Sequence, residues 1–136
     1  EVRGTLGLPD LELVACDLMS DASWAEAMAG VDYVQHIASP IPAGEPKDPN
    51  ELIVPAREGA LRALRFARAA GVRRVVMTSS MAAIAYGHEQ GRAPFTEADW
   101  SNVDSMDAYA YIKSKTLAER AARDWMAANG AGMDYV

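Results

Sequence analysis

The chain has 136 residues, of which 50% are hydrophobic and 24% charged, and its 13 basic and 19 acidic side chains give a formal net charge of −6. These values describe one globular domain rather than a disordered tail, and no run of about 20 apolar residues is present to span a membrane. The acidic balance argues against nucleic acid as a partner, because such binding depends on lysine and arginine. With one cysteine, Cys16, and no secretory signal pattern, we expect a cytoplasmic location.

Five short apolar segments are predicted to be strands: residues 2–6, 11–15, 33–37, 74–78 and 133–136. The three central runs are almost continuously apolar, which is typical of strands covered on both faces. Three helices are predicted between them, over residues 22–28, 52–70 and 107–129, each with a glycine at or shortly after its end. This alternation predicts an α/β fold with a doubly wound parallel sheet.

The joint between the first two predicted strands is too short for that fold. Residues 6–10 offer only five positions, whereas parallel neighbours need a crossover of a dozen or more residues. Either residues 2–6 are not a parallel neighbour of residues 11–15, or residues that connect them are missing from the sequence.

Two tyrosine–lysine pairs lie four residues apart in the third predicted helix, Tyr111 with Lys115 and Tyr109 with Lys113. Residues at this spacing project from one face, and an ammonium beside a phenol favours the phenolate, which suits proton transfer to a carbonyl oxygen. Because residues two apart on a helix point about 200° from each other, we expect at most one pair to face a site. Spacing alone does not choose, and either pair could instead be an exposed tyrosine and a solvated lysine.

Hydroxyl residues end the predicted strand 74–78, where Thr78, Ser79 and Ser80 follow one another. Ligands bind at the carboxyl ends of parallel strands, so a hydroxyl there could hydrogen-bond the oxygen that a tyrosine protonates. The alternative is that these residues cap the next turn. The loop over residues 40–49, which holds four prolines and follows the strand 33–37, is expected to border the same site.

Two other strand ends carry weaker signals. Asp17 and Leu18 follow residues 11–15 and offer a carboxylate for an amino group and an apolar side for a flat ring, although the same residues are common before a helix. The small residues Ala38 and Ser39 would let backbone amides approach a bulky ligand, while His36 is more often a core histidine than a base. No cluster has the spacing of metal ligands, so no metal is expected.

Four motifs occur in one order: VACDL at 14–18, HIASP at 36–40, VVMTSS at 75–80 and YIKSKTLAE at 111–119. Together they resemble the extended short-chain dehydrogenase/reductase (NAD-dependent epimerase/dehydratase) family. Within it the chain is most similar to the branch of dihydroflavonol reductases, cinnamoyl-CoA reductases and bacterial aldehyde reductases. Residues 46–64 and TEADWS at 96–101 also resemble that branch.

The resemblance implies a Rossmann-like fold and hydride transfer from NADPH or NADH to the carbonyl of a small aldehyde or ketone. It implies that Tyr111 is the catalytic acid, with Tyr109 outside the motif, that Ser80 orients the substrate oxygen and that Lys115 binds the nicotinamide ribose. The further residues that it assigns to the cofactor are Asp17, Leu18, Ala38, Ser39, Thr78 and Ser79.

The chain also departs from the family pattern. The glycine-rich dinucleotide turn, which normally follows the family's first strand, has no counterpart, and residues 1–6 resemble the second strand. The carboxyl-terminal substrate domain is absent as well. We therefore expect residues 1–136 to form a partial NAD(P)-binding Rossmann-like domain, incomplete at both ends of its sheet.

Two other functions stay open. A nucleotide-sugar epimerase or dehydratase would use the same tyrosine and lysine. A noncatalytic dinucleotide-sensing or interaction module would be expected to lose the pair formed by Tyr111 and Lys115. The expected partner is a small molecule rather than nucleic acid or a membrane, and a homodimer is left open.

Because the glycine-rich turn is missing, we predict that the 136-residue chain by itself binds NADPH weakly or not at all. Isothermal titration calorimetry measures this directly. A dissociation constant in the low micromolar range would contradict the prediction.

Overall fold

The computed structural model of the chain describes residues 2–41, 43–89 and 94–136. Its elements within these ranges, in chain order, are α1 (Val2–Leu6), α2 (Trp24–Met28), β1 (Tyr33–His36), α3 (Asn50–Ala69), β2 (Arg74–Met77), a 3₁₀ turn (Met81–Ala83), α4 (Ala110–Asn129) and β3 (Asp134–Tyr135).

The three strands form one parallel sheet in the order β1-β2-β3. His36 pairs with Met77 at the carboxyl ends of β1 and β2, and the N–H of Thr78 donates to the carbonyl of His36 at 3.0 Å. A long helix, α3 or α4, joins each strand to the next and provides the crossover that parallel pairing requires. The predicted parallel α/β fold is confirmed, and the ends of β1 and β2 lie side by side.

The core lies where α2, α3 and α4 pack on β2. Its buried residues are Trp24, Met28, Ala63, Leu64, Ala67, Val72, Val75, Ala122 and Met133. Ala63 and Ala67 on α3 and Ala122 on α4 are at most 1% exposed. Such small side chains let the two long helices approach closely.

One face of the sheet is more open than the sequence predicted. Val75 is 1% exposed and belongs to the core, whereas Val76, which points to the opposite face of β2, is 39% exposed. Gln35, the partner of Val76 on β1, is exposed as well. The prediction of strands covered on both faces is wrong in this respect, because the core helices all meet the face of Val75.

Residues 2–6 form the helix α1 and not the predicted strand. Gly7 has a φ of 65°, a left-handed conformation that glycine adopts without strain. Its N–H and that of Leu8 bond back to the carbonyls of Gly4 at 3.3 Å and Arg3 at 3.0 Å. This hydrogen-bonded cap ends the helix. Of the two explanations for the short joint, the structure supports the first, that residues 2–6 are not a parallel strand.

Residues 11–15 do not form the predicted strand either. A strand is held by hydrogen bonds to a neighbouring strand, and within the described part of the chain the sheet ends at β1. Leu13 is accordingly 56% exposed. The carbonyl of Leu11 accepts instead from the Nε of Arg3 at 2.6 Å. An apolar run without a strand beside it therefore stays irregular.

Both long helices begin at other residues than predicted, because carboxylates cap their first turns. α3 begins at Asn50, whose N–H donates to the side chain of Asp48 at 2.9 Å. α4 begins at Ala110, whose N–H donates to Oε1 of Glu45 at 2.8 Å. Through Glu45, the loop over residues 40–49 is bonded to the start of α4.

We expect Gly59→Ala to destabilise the fold. A Cβ at Gly59 would lie 2.7 Å from Cδ2 and 3.0 Å from Cβ of Leu18, so α3 and the segment that carries Leu18 would have to separate. Overpacking of this kind costs about 1–3 kcal/mol. Gly44→Ala is the matched control, because a Cβ there meets no atom within 4 Å. Urea denaturation compares the two variants, and equal free energies of unfolding would contradict the prediction.

Candidate active site

The carboxyl ends of β1 and β2, together with faces of α3 and α4, surround a small cavity that we call the inner cavity. Its lining consists of His36, Ala38, Ser39, Ala56, Ala60, Met77, Thr78, Ser79, Lys115 and Ala118. Five of the residues assigned to the cofactor by the resemblance therefore meet in one place. They meet because the parallel pairing of β1 with β2 brings the two strand ends together and α4 crosses beside them.

Lys115 carries the charge in the inner cavity. Its side chain is buried, at 8% exposure, and within the described part of the chain it has no carboxylate as a salt-bridge partner. Burial lowers the pKa of His36, and the positive charge of Lys115 lowers it further. A neutral imidazole thus lies beside a buried ammonium, which leaves the ammonium available to a ligand.

A second depression, which we call the outer cavity, has a volume of about 540 Å³. It is lined by Ser80, Met81, Ala82, Ala85, Tyr86, Tyr109, Tyr111 and Ile112. The two predicted hydroxyl groups of the reaction, on Ser80 and Tyr111, therefore border the same space. The ammonium nitrogen of Lys115, a residue of the inner cavity, lies 5.9 Å from the centre of the Tyr111 ring, which lines the outer cavity. The two cavities are therefore neighbours.

The hydroxyl of Ser80 is oriented by the turn that follows it. Its Oγ accepts a hydrogen bond from the N–H of Ala82 at 3.1 Å. Ser80 thus caps the 3₁₀ turn, which was the alternative that the sequence left open. The two roles are compatible, because a hydroxyl that accepts one hydrogen bond keeps its own hydrogen to donate.

Tyr109 also borders the outer cavity. The sequence predicted that it would not, because at most one of the two tyrosine–lysine pairs was expected to face the site. The exclusion assumed that both residues are helical. Tyr109 instead precedes α4 with extended backbone, at φ −60° and ψ 164°, and its side chain is 61% exposed. Lys115 lines the inner cavity with predicted site residues, whereas Lys113 lines neither the inner nor the outer cavity.

Asp17 and Leu18 do not line either cavity. The side chain of Asp17 accepts from the N–H of Met19 at 2.6 Å, and its carbonyl accepts from the indole of Trp24 at 2.9 Å. Leu18 packs against Gly59 of α3. In this arrangement both residues support the turn before α2, as the alternative from the sequence proposed.

The sequence did not identify one carboxylate that binds a residue of the inner cavity. Glu119 is 8% exposed, and its Oε2 accepts a hydrogen bond from the hydroxyl of Ser79. Its Oε1 accepts from Arg123 at 2.7 and 2.9 Å. The spacing could have revealed it, because Glu119 lies four residues after Lys115 and so on the same face of the helix.

Neither a metal centre nor a membrane segment is found in the residues that the structure describes. Across residues 2–41, 43–89 and 94–136, no three histidine, cysteine, aspartate or glutamate side chains gather into a group able to hold a metal ion. Over the same ranges no helix combines the length and the apolar character needed to cross a bilayer.

Comparison with known proteins agrees with the four motifs. A model of the NAD dependent epimerase/dehydratase family matches residues 2–136. The chain is 35% identical over 132 residues to dihydroflavonol 4-reductase of Hordeum vulgare, with 93% of the chain and 36% of that protein aligned. It is 32% identical to anthocyanidin reductase of Vitis vinifera over 95% of the chain and 40% of that protein. The predicted resemblance is confirmed, and the chain spans less than half of these relatives.

A solved structure extends the comparison to three dimensions. The yeast methylglyoxal/isovaleraldehyde reductase Gre2, which was crystallised with NADPH, superposes with a TM-score of 0.78 at 26% identity. The alignment covers 98% of the chain and 44% of the yeast protein. The Rossmann-like character of the fold is thereby confirmed.

The buried imidazole of His36 should make stability depend on pH. Its folded-state pKa lies below the ordinary value of 6.5, so the unfolded chain binds more protons near neutral pH and stability rises with pH. The contribution is complete above pH 6.5 and is lost as the pH falls through the folded-state value. We expect His36→Gln to flatten this dependence in denaturation curves when it is compared with the wild-type protein. An unchanged dependence in His36→Gln would contradict the assignment.

Proposed function

The chain belongs to the NAD dependent epimerase/dehydratase family, and we propose that the whole protein reduces the carbonyl of a small aldehyde or ketone with NADPH or NADH. The observation that carries this proposal is that Ser80 and Tyr111 border one cavity while the ammonium of Lys115 lies 5.9 Å from the Tyr111 ring. A hydrogen-bond donor and a proton donor thus border one cavity with a cation near the phenol, which is the set of groups that the reduction of a carbonyl would use.

The residues of the inner cavity fit a nicotinamide nucleotide. Lys115 offers a buried ammonium, and Ser39, Thr78 and Ser79 offer hydroxyl groups of the kind that bind ribose hydroxyls. Ala38 is small enough for the backbone at the end of β1 to approach a bulky ligand. When bound, the nucleotide supplies the hydride that the carbonyl carbon takes up. The two proposed contacts of Asp17 and Leu18 have less support, because the Asp17 carboxylate accepts from the N–H of Met19 and the Leu18 side chain packs against Gly59.

The proton is assigned to Tyr111. As the carbonyl carbon gains a hydride, the oxygen gains the phenolic proton, and the product is an alcohol. Ser80 donates its hydroxyl hydrogen to the same oxygen and holds it beside the phenol, since its Oγ is fixed by the N–H of Ala82. The charge of Lys115 stabilises the phenolate that remains after the transfer.

A reductase is favoured over the two alternatives. The curated relatives described above, at 32% and 35% identity, are both reductases by name. A nucleotide-sugar epimerase or dehydratase would use the same tyrosine and lysine, but no described contact favours a sugar nucleotide. A noncatalytic module would not need a buried lysine beside a tyrosine and a serine that share a cavity.

The proposal predicts opposite outcomes for Tyr109 and Tyr111, two of the three tyrosines of the outer cavity. In the whole protein, Tyr111→Phe should reduce turnover by about 10²–10⁴-fold, because a positioned general acid contributes that much. Tyr109→Phe should keep most of the activity, since the ring that lines the cavity is retained. The oxidation of NADPH in the presence of an aldehyde measures both variants. Equal losses would refute the assignment of Tyr111, and no turnover by the wild-type protein with any carbonyl would refute the proposed function.

A further inference from the structure

Ser101 lies outside both cavities, yet its hydrogen bonds hold the turn that orients Ser80. Ser101 is completely buried, at 0% exposure. Its hydroxyl donates to the carbonyl of Ala82 at 2.8 Å and accepts from the N–H of Tyr86 at 2.9 Å. Its own N–H donates to the carbonyl of Ala83 at 2.8 Å. One serine thus bonds to the 3₁₀ turn and to the chain that leaves it.

The turn held by Ser101 contacts both residues of the outer cavity to which the proposed function assigns a role, Ser80 and Tyr111. The N–H of Ala82 donates to Oγ of Ser80, so a movement of Ala82 would move or release that hydroxyl. The side chain of Ala82 packs in one buried cluster with Ile112, and Tyr111 packs against the same cluster. A shift of Ala82 would therefore affect Ser80 through the hydrogen bond and the first turn of α4 through side-chain packing.

The segment that carries Ser101 is anchored to α4 by a separate route. The ring of Trp100 lies 5.0 Å from the guanidinium of Arg120 and 5.7 Å from that of Arg123, within the range of cation–π interactions. Arg123 also pairs with Glu119, which accepts the hydroxyl of Ser79. Trp100 is thus linked to Ser79 through Arg123 and Glu119, whereas Ser101 is linked to Ser80 through Ala82.

We propose that Ser101 is a positioning residue of the active site, which fixes the Ser80 hydroxyl relative to Tyr111 through the Met81–Ala83 turn. The assignment of Ser80 as the group that is positioned rests on the proposed function. Ser101 itself touches neither the substrate nor the cofactor. Its removal would leave the N–H of Tyr86 without its buried partner and the carbonyl of Ala82 with only the longer bond from the Thr116 hydroxyl at 3.5 Å, and the turn would loosen.

The test is a double-mutant cycle in the whole protein, with Ser101→Ala, Ser80→Ala and the double variant. If Ser101 acts through Ser80, we expect Ser101→Ala alone to lower kcat by about 10-fold and to cause no further loss in the Ser80→Ala background. Independent roles would instead multiply the two losses, and that result would overturn the proposal. Ser101→Cys, which is nearly isosteric and bonds more weakly, replaces Ser101→Ala in the cycle if the latter does not fold.

Two measurements separate positioning from general destabilisation and from failure of the proposed function. Val72→Ala is the control for stability, because Val72 is buried in the core before the amino end of β2, whereas the cavities lie at the carboxyl ends of the strands; its kcat should match the wild type. Hydrogen exchange at the Ala82 amide reports the bond to Ser80 without any turnover, and Ser101→Ala should accelerate it about 10-fold while Val72→Ala leaves it unchanged. If the exchange rate of the Ala82 amide is unchanged in Ser101→Ala, the inference is overturned. If the whole protein reduces no carbonyl but Ser101→Ala still accelerates this exchange, only the proposed function is refuted.

Discussion

The close contact between α3 and α4 is the constraint on which the site depends. The two helices meet through small side chains, which are Ala56, Ala60, Ala63 and Ala67 on α3 and Ala118 and Ala122 on α4, all buried. Because these side chains are small, α3 and α4 pack closely together, and Lys115 is buried in one cavity with the strand ends. A bulky residue at this contact would lift α4 and separate the ammonium from the strand ends that it faces.

Two adjacent serines at the end of β2, Ser79 and Ser80, are held by different parts of the structure. Ser79 is bonded to Glu119 on α4, and Ser80 is bonded to the turn that Ser101 holds. Adjacent serines on one strand end point their hydroxyls to different partners, and so one borders the inner cavity and the other the outer cavity. The division of the site into an inner and an outer cavity follows from this alternation along the chain.

The predictions that failed share one physical cause. A pattern within a short segment of sequence carries no information about the segments that pack beside it in the fold. Residues 11–15 have the composition of a buried strand but no strand beside them, and residues 2–6 close into a helix on their own hydrogen bonds with a glycine cap. Tyr109 was judged by helical geometry, although Glu45 caps α4 at Ala110 and leaves Tyr109 extended. Glu45 lies 65 residues away in sequence, and spacing within the helix could not reveal it.

The sequence by itself determined the parallel α/β class, the family and the residues of the TSS and YIKSK motifs, because periodicity and short motifs are local properties of the chain. The family resemblance also implied that Thr78, Ser79 and Lys115 share a site, and all three line the inner cavity. Only the tertiary structure decided that Lys115 is buried beside a neutral His36, that Tyr109 shares the outer cavity with Tyr111, and that Ser101 holds the turn after Ser80. These facts depend on contacts between segments far apart in sequence, and packing alone brings such segments together.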